Sequence, residues 1–303
     1  MDIYLPIAGQ SVNALFMVLL GFLVGILSGM FGVGGGFLTT PLLIFYGIPP
    51  TVAVASATTQ ITGASVSGVM SHMRRGGVDL KMGGVMIVGG LFGSLVGVIV
   101  FRLLQATGQI DLVIGALYVI ILAWIGGLML KDALVALGYV KAPTTQKPTT
   151  RHNRWVASLP LRWRFYSSGL YVSPLAPLAL GFVAGMLTVF LGIAGGFILV
   201  PAMIYLLGMP ARIVIGTSLI MVLAVSAATT MVHSLTTRSV DSVLAGLLLL
   251  GGVVGAQYGA MLTTRVKPDL MRLALAIIIL LVALRMAVGL AWRPDEVYSI
   301  EYL

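Results

Sequence analysis

Long apolar runs dominate the chain, at about 13–30, 36–47, 52–72, 83–104 and 112–130, and again at 175–191, 196–207, 212–235, 243–263 and 270–290. Between the two sets lies the polar stretch Ala142-Pro143-Thr144-Thr145-Gln146-Lys147-Pro148-Thr149-Thr150, whose composition is that of a linker. A spanning helix needs about twenty apolar residues. Run 36–47 is shorter, and Phe31-Gly32-Val33-Gly34-Gly35-Gly36 joins it to the run before. So many glycines do not continue a regular helix. Residues 13–47 therefore predict a broken helical hairpin whose glycine turn is buried in protein, because non-helical backbone at membrane depth needs protein or a cavity around it. Pro41 falls early in the second half-helix, and Gly47-Ile48-Pro49-Pro50 ends it.

The second half repeats the first. Gly21-Phe22-Leu23-Val24-Gly25 matches Gly181-Phe182-Val183-Ala184-Gly185. Phe31-Gly32-Val33-Gly34-Gly35-Gly36-Phe37 matches Leu191-Gly192-Ile193-Ala194-Gly195-Gly196-Phe197, and Pro41 matches Pro201, all at an offset of 160. Later pairs drift by one or two positions: Pro49 with Pro210, His72 with His233, Val78-Asp79 with Val240-Asp241, and Gly93 and Gly97 with Gly255 and Gly259. Chance likeness between apolar helices does not place Gly, Pro, His and Asp in one order. The expected organisation is a first membrane repeat over 1–131, a basic linker over 132–172, and a second repeat with a C-terminal tail over 173–303. Internal repeats of this kind mark transporters, with the substrate site at the repeat interface.

Composition agrees. Of 303 residues, 59% are hydrophobic and 9% charged, with a mean hydropathy of +1.07, against about 25% charged in a soluble domain. A soluble enzyme, a nucleic-acid-binding domain and a disordered chain are excluded. The net charge of +9 is the positive-inside bias of a cytoplasmic loop rather than a nucleic-acid surface: Lys131, Lys141, Lys147, Arg151, Arg154, Arg162 and Arg164 face one acid, Asp132. The first apolar run follows a start without Lys or Arg, so no signal-peptide n-region is expected. Cysteine is absent, which removes disulfides and thiolate chemistry.

The fold class expected is an all-α polytopic membrane protein of two homologous repeats, each a glycine-broken helical hairpin plus three spanning helices. A hairpin that enters and returns leaves each half an odd number of crossings, which inverts the halves. Basic residues then divide 14 against 4, and parallel halves would divide them 13 against 5, so charge does not decide.

The glycine break followed by proline, the Pro49 and Pro210 turns, Gly216-Thr217-Ser218-Leu219 and the His-x-x-Arg-x-Gly-Val-Asp stretch from His72 to Asp79 stand together. In that order, and in duplicate, they resemble the sulfite exporter TauE/SafE family of membrane permeases over about 14–131 and 175–290. The resemblance implies movement of small sulfur-containing anions such as sulfite, sulfoacetate and other organosulfonates, by an exporter using alternating access in a bacterial inner membrane. A channel-like pore and a non-transporting accessory protein are the rivals. Ser56-Ala57-Thr58 and Ala194 depart from the matched positions, so the two half-sites are not equivalent.

The nine acids, Asp2, Asp79, Asp111, Asp132, Asp241, Asp269, Asp295, Glu296 and Glu301, all fall at span ends, in loops or at termini. A site without mid-membrane carboxylates suits an anion better than a cation. The half-helices starting near Gly35-Gly36 and Gly195-Gly196 would aim N-terminal N–H groups and a positive dipole end at it. Thr58, Thr59, Gln60, Thr217 and Ser218 would add neutral donors, although such side chains also bridge helices; Thr39 and Thr40 are weaker candidates. His72 and His233 are candidates for gating or proton coupling, or for anchoring helix ends. Asp79 and Asp241 read as N-caps. The steps Gly89-x3-Gly93-x3-Gly97 and Gly251-x3-Gly255-x3-Gly259 read as packing seams, with Gln257 and Tyr258 polar inside one of them. Trp124, Trp155, Trp163 and Trp292 read as interfacial anchors. No enzyme constellation, metal set or cofactor is expected. The expected partners are a small anion and the lipid bilayer, with no nucleic acid; the oligomeric state stays open, a homodimer included.

Overall fold

The computed structural model describes residues 2–31, 36–74, 76–136, 163–193, 196–262 and 268–291. It is a helical membrane protein. The elements run β1 (Asp2–Leu5), β2 (Gln10–Asn13), α1 (Ala14–Phe31), α2 (Gly36–Phe45), α3 (Pro50–Arg74), α4 (Leu80–Ala106) and α5 (Ile110–Ala136). Then follow β3 (Trp163–Phe165), β4 (Leu170–Val172), α6 (Leu175–Leu191), α7 (Gly196–Tyr205), α8 (Ala211–Val232), a π-helical turn (His233–Thr237), α9 (Ser242–Leu262) and α10 (Pro268–Ala291). Among the described residues, five helical stretches are long and apolar enough to cross a membrane: Leu80–Ala106, Ile110–Val135, Ile213–Thr237, Ser242–Gly259 and Leu273–Ala291. Helix α3 matches them in length, but Ser56, Thr58, Thr59, Gln60, Thr62 and Ser65 lower its hydropathy.

The chain forms two compact units: Met1–Ile110 with Pro143–Lys267, and Asp111–Ala142 with Pro268–Leu303. In the larger unit α1 and α9 run parallel. Gly21 lies on the backbone of Leu248, Gly25 on Gly252, Gly255 on Phe22 and Gly259 on Ile26. Helices α4 and α6 do the same, with Gly89 on Leu178, Gly93 on Phe182, Gly181 on Met86 and Gly185 on Gly90. Only glycine allows backbones this close, so both glycine steps are packing seams. Each seam joins a helix of one half to a helix of the other. Helices α3 and α8 cross antiparallel: Thr59 meets Thr230, Thr62 meets Ser226, and Gly68 meets Leu219. In the smaller unit α5 and α10 also run antiparallel, with Gly115 against Leu290 and Gly126 against Ile279 and Leu280.

The hydropathy pattern does not predict the two hairpins. Leu5 pairs with Gln10 and Phe165 with Leu170, and each turn ends in a left-handed glycine, Gly9 at φ +68° and Gly169 at φ +67°. That conformation costs glycine little. The second hairpin falls within the segment assigned above to the linker, of which 137–162 lies outside the described residues. Its inward residues Phe165, Leu170 and Val172 join a buried cluster with Met82, Met86 and Leu199. Asn13 caps α1 through the Phe16 N–H, and Ser173 receives the Leu175 N–H at the start of α6.

Two drifts in the repeat offset have local causes. The π-helical turn at His233–Thr237 falls where the offset grows from 161 (His72 and His233) to 162 (Asp79 and Asp241). It absorbs one extra residue without breaking the helix, as a wider i→i+5 turn does. The left-handed Arg238, at φ +50°, ends it. The earlier step lies in the α7–α8 connection, where left-handed Gly208 corresponds to Gly47.

Candidate functional site

The second glycine break starts with a C-cap. Gly192, at φ +60° and ψ 15°, ends α6 and donates its N–H to Thr188 O. It packs against Val54 of α3, and a Cβ on it would lie 3.2 Å from Thr40 Oγ1. Gly36, the first residue of α2, is buried beside it: a Cβ there would meet the Ile61 side chain and lie 2.6 Å from Gly192 O. Gly36 and Gly192 therefore meet close to Ile61, midway along α3. Thr40 is fully buried, and its hydroxyl has no hydrogen-bond partner among the described residues. Gly196 begins α7; Gly35 and Gly195 lie outside the described residues.

A second feature, hydroxyls set among apolar side chains, lies at the α3–α8 crossing. A recess of about 380 Å³ is lined by Thr59, Thr62, Thr230 and Ser234 together with Ala227, Met231 and Leu235. Thr62 Oγ1 lies 3.0 Å from Ser226 Oγ, and Thr59 Oγ1 lies 3.5 Å from Thr230 Oγ1. Thr59 and Thr62 also donate to their own helix, at Ala55 O and Thr58 O. Ser65 and Thr229 are buried, and their hydroxyls have no hydrogen-bond partner among the described residues. No lining residue is charged. Residues Thr62, Ser226, Thr230 and Ser234 were missed by the sequence reading. The signal was present as a three- and four-residue spacing of hydroxyls along α3 and α8.

The sequence candidates do not converge on one place. Thr59 lines the recess. Thr58 donates to Val54 O. Gln60 reaches the other way, donating from Nε2 to Leu248 O of α9, while its buried Oε1 has no partner among the described residues. Ser218 donates to Ile215 O. Thr217 is fully buried near the start of α8 and accepts the Asp79 N–H at 3.0 Å. Its counterpart by role is Ser56, which accepts the Asp241 N–H at 3.3 Å. Asp79 and Asp241 are both N-caps, receiving Met82 N–H and Leu244 N–H.

The two histidines sit at opposite ends of the antiparallel α3–α8 pair and in different surroundings. His233 is buried; its Nε2 lies 3.3 Å from Val189 O and its Nδ1 3.2 Å from Thr237 Oγ1. A carbonyl only accepts, so Nε2 carries the proton. The ring stands edge-on to Phe101, at 5.1 Å. His233 thus ties the π-helical turn to α6 just before the Gly192 break. His72, in the last turn of α3, is half-buried.

The sequence matches the sulfite exporter TauE/SafE family over residues 17–286. The chain belongs to that family. It is 28% identical to the probable membrane transporter protein YjnA of Bacillus subtilis, over 89% of this chain and 98% of the relative. It is 24% identical to YunE of the same organism, over 88% and 94%. The sulfite exporter TauE/SafE family protein 3 of Arabidopsis thaliana is 36% identical over 31% of this chain and 20% of its own length. No solved structure is similar enough to count as a match. The protein is a multi-pass membrane transporter and not an enzyme.

Proposed function

We propose that the protein moves small sulfur-containing oxyanions, such as sulfite or an organosulfonate, across the membrane by alternating access between two inverted repeats. The observation that carries the substrate class is the uncharged recess at the α3–α8 crossing, where the hydroxyls of Thr59, Thr62, Thr230 and Ser234 are set in a mainly apolar lining. A volume of 380 Å³ holds about a dozen waters at roughly 30 Å³ each, so a small oxyanion enters with part of its hydration. The Thr59 and Thr62 hydroxyls rest on backbone carbonyls, and rotation of their protons about the C–O bond turns them towards a ligand. With no fixed cation to trap it, the anion can leave again.

The glycine breaks support the binding role. Helices α2 and α7 start there, at Gly36 and Gly196, and a helix N-terminus offers free N–H groups and a positive dipole end. The buried, unpartnered Thr40 hydroxyl adds a neutral donor beside Gly192. Inversion is supported by the antiparallel pairing of α3 with α8 and of α5 with α10. Helices matched by the duplication and packed head to tail are related by an axis in the membrane plane, the arrangement of inverted-repeat transporters. On this reading the central linker is cytoplasmic and both termini lie outside.

Thermal unfolding of the purified protein against a panel of sulfite, sulfoacetate, taurine, sulfate and thiosulfate tests the substrate class. The expected result is a concentration-dependent rise in Tm with one or more of the sulfur oxyanions. A flat response across the panel contradicts it.

A further inference from the structure

We propose that the two β-hairpins are covers at opposite ends of the larger unit, each latched by a buried carboxylate of the other half: Asp79 holds β3–β4 and Asp241 holds β1–β2. The proposal rests on the transport reading, since a cover matters only where something passes beneath it.

Each aspartate does more than cap a helix. Asp79 is 1% exposed. Its Oδ1 accepts the Met82 N–H at 3.0 Å, the ordinary N-cap bond. Its Oδ2 accepts both the N–H and the hydroxyl of Ser168, at 3.1 and 2.8 Å, in the β3–β4 turn. Asp241, fully buried, repeats the arrangement. Its Oδ1 accepts Val243 N–H and Leu244 N–H at 3.1 Å each, and its Oδ2 accepts the Ile7 N–H at 3.2 Å in the β1–β2 turn. One oxygen serves the helix and the other serves a hairpin 89 or 234 residues away in sequence.

The latches also reach the proposed path. The backbone N–H of Asp79 donates to Thr217 on α8, and that of Asp241 donates to Ser56 on α3. Helices α3 and α8 line the recess. Because they cross antiparallel, Ser56 and Thr217 lie at opposite ends of the crossing, and so do the two hairpins. An isolated two-stranded hairpin is marginal in water, so what holds these hairpins is the burial of their inner faces and the latch. Leu5, Val12, Phe165 and Val172 are buried on those faces. Lys81 adds a surface hold on β3–β4, donating to Arg164 O at 3.2 Å and standing 5.2 Å over the Trp163 ring. Release of one carboxylate bond set opens a local element without unfolding the bundle. The latches are unequal: Asp79 receives two bonds from its hairpin and Asp241 one, so β1–β2 opens the more readily.

The absence of cysteine allows a clean test with single reporters, Leu170→Cys under β3–β4 and Val12→Cys under β1–β2, labelled by a water-soluble maleimide in membrane vesicles. Asp79→Asn keeps an oxygen for the Met82 cap but loses the charge and the second acceptor for Ser168. It should raise labelling at position 170 more than tenfold and leave position 12 unchanged. Asp241→Asn should do the reverse. Ser168→Ala, which keeps the backbone N–H and is the milder change, should raise labelling at 170 about fivefold, the factor expected for one hydrogen bond. Unchanged labelling at 170 in a folded Ser168→Ala or Asp79→Asn protein overturns the latch, and so does an equal rise at both reporters. If labelling responds as expected while the parent carries no sulfur oxyanion, the latch stands and the anion reading fails.

Discussion

Thr62 Oγ1 and Ser226 Oγ lie 3.0 Å apart across the α3–α8 crossing, joining residues 164 positions apart in sequence. At the sequence offset of 161, Ser65 aligns with Ser226 and Thr62 with Leu223. One side of the crossing therefore carries paired hydroxyls, and the matched side carries leucine beside a buried Ser65 that has no hydrogen-bond partner among the described residues.

That asymmetry gives the first prediction. Thr62→Val and Ser226→Ala each remove a hydroxyl of the paired side, and each should lower substrate affinity about fivefold, one neutral hydrogen bond being worth about 1 kcal/mol. Leu223→Ala on the matched side should leave affinity near the parent value. Titration of the purified variants by thermal shift measures this.

Thr40 separates anion binding from packing better than the glycines do. A valine at Gly36 would collide with Ile61 and approach the Gly192 carbonyl, so its loss of function reports packing whether or not an anion binds there. Thr40→Val is nearly isosteric and removes a buried hydroxyl that has no partner among the described residues. Relief of an unsatisfied polar group should leave Tm unchanged or raised. Affinity for the sulfur oxyanion should fall about fivefold. Thr40→Ser should restore it.

The glycine seams predict opposite signs at two kinds of glycine. At Gly185 an added side chain would strike the backbone of Gly90; overpacking of this kind costs about 1–3 kcal/mol, so Gly185→Ala should lower Tm. Gly246 is exposed on α9 with nothing within 4 Å of its missing Cβ. There alanine should stabilise by about 0.5–1 kcal/mol through helix propensity. Thermal unfolding in detergent compares the two.

Much of this was legible from residue type alone. Spacings of Gly89, Gly93 and Gly97, and of Gly251, Gly255 and Gly259, gave the seams because close backbone contact has no other residue solution. Asp79 and Asp241 were legible as caps for the same kind of reason. Their second oxygens were not, since the partners Ser168 and Ile7 lie 89 and 234 residues away in strands of three or four residues that are too short to show a hydropathy period. Thr217 reads as a ligand donor because a hydroxyl in an apolar run suggests one; that it also accepts the Asp79 N–H was not legible, since that partner lies 138 residues away. Thr58 and Ser218 bond their own helix for the reason that Ser and Thr commonly do.

Topology provides a further prediction. A reporter fused at Thr145, in the central linker, should read as cytoplasmic, and one after Leu303 as external. A cytoplasmic C-terminus would contradict inversion, however close the head-to-tail pairing of α3 with α8.

The central claim is that this member of the TauE/SafE family carries small sulfur oxyanions. Its most direct test is counterflow in proteoliposomes: labelled sulfite or sulfoacetate outside, the same unlabelled anion loaded inside, and no ion gradient. Alternating access predicts saturable uptake that transiently exceeds equilibrium and depends on the internal anion. Flux that never exceeds equilibrium, or that equals the leak of protein-free vesicles, would contradict it.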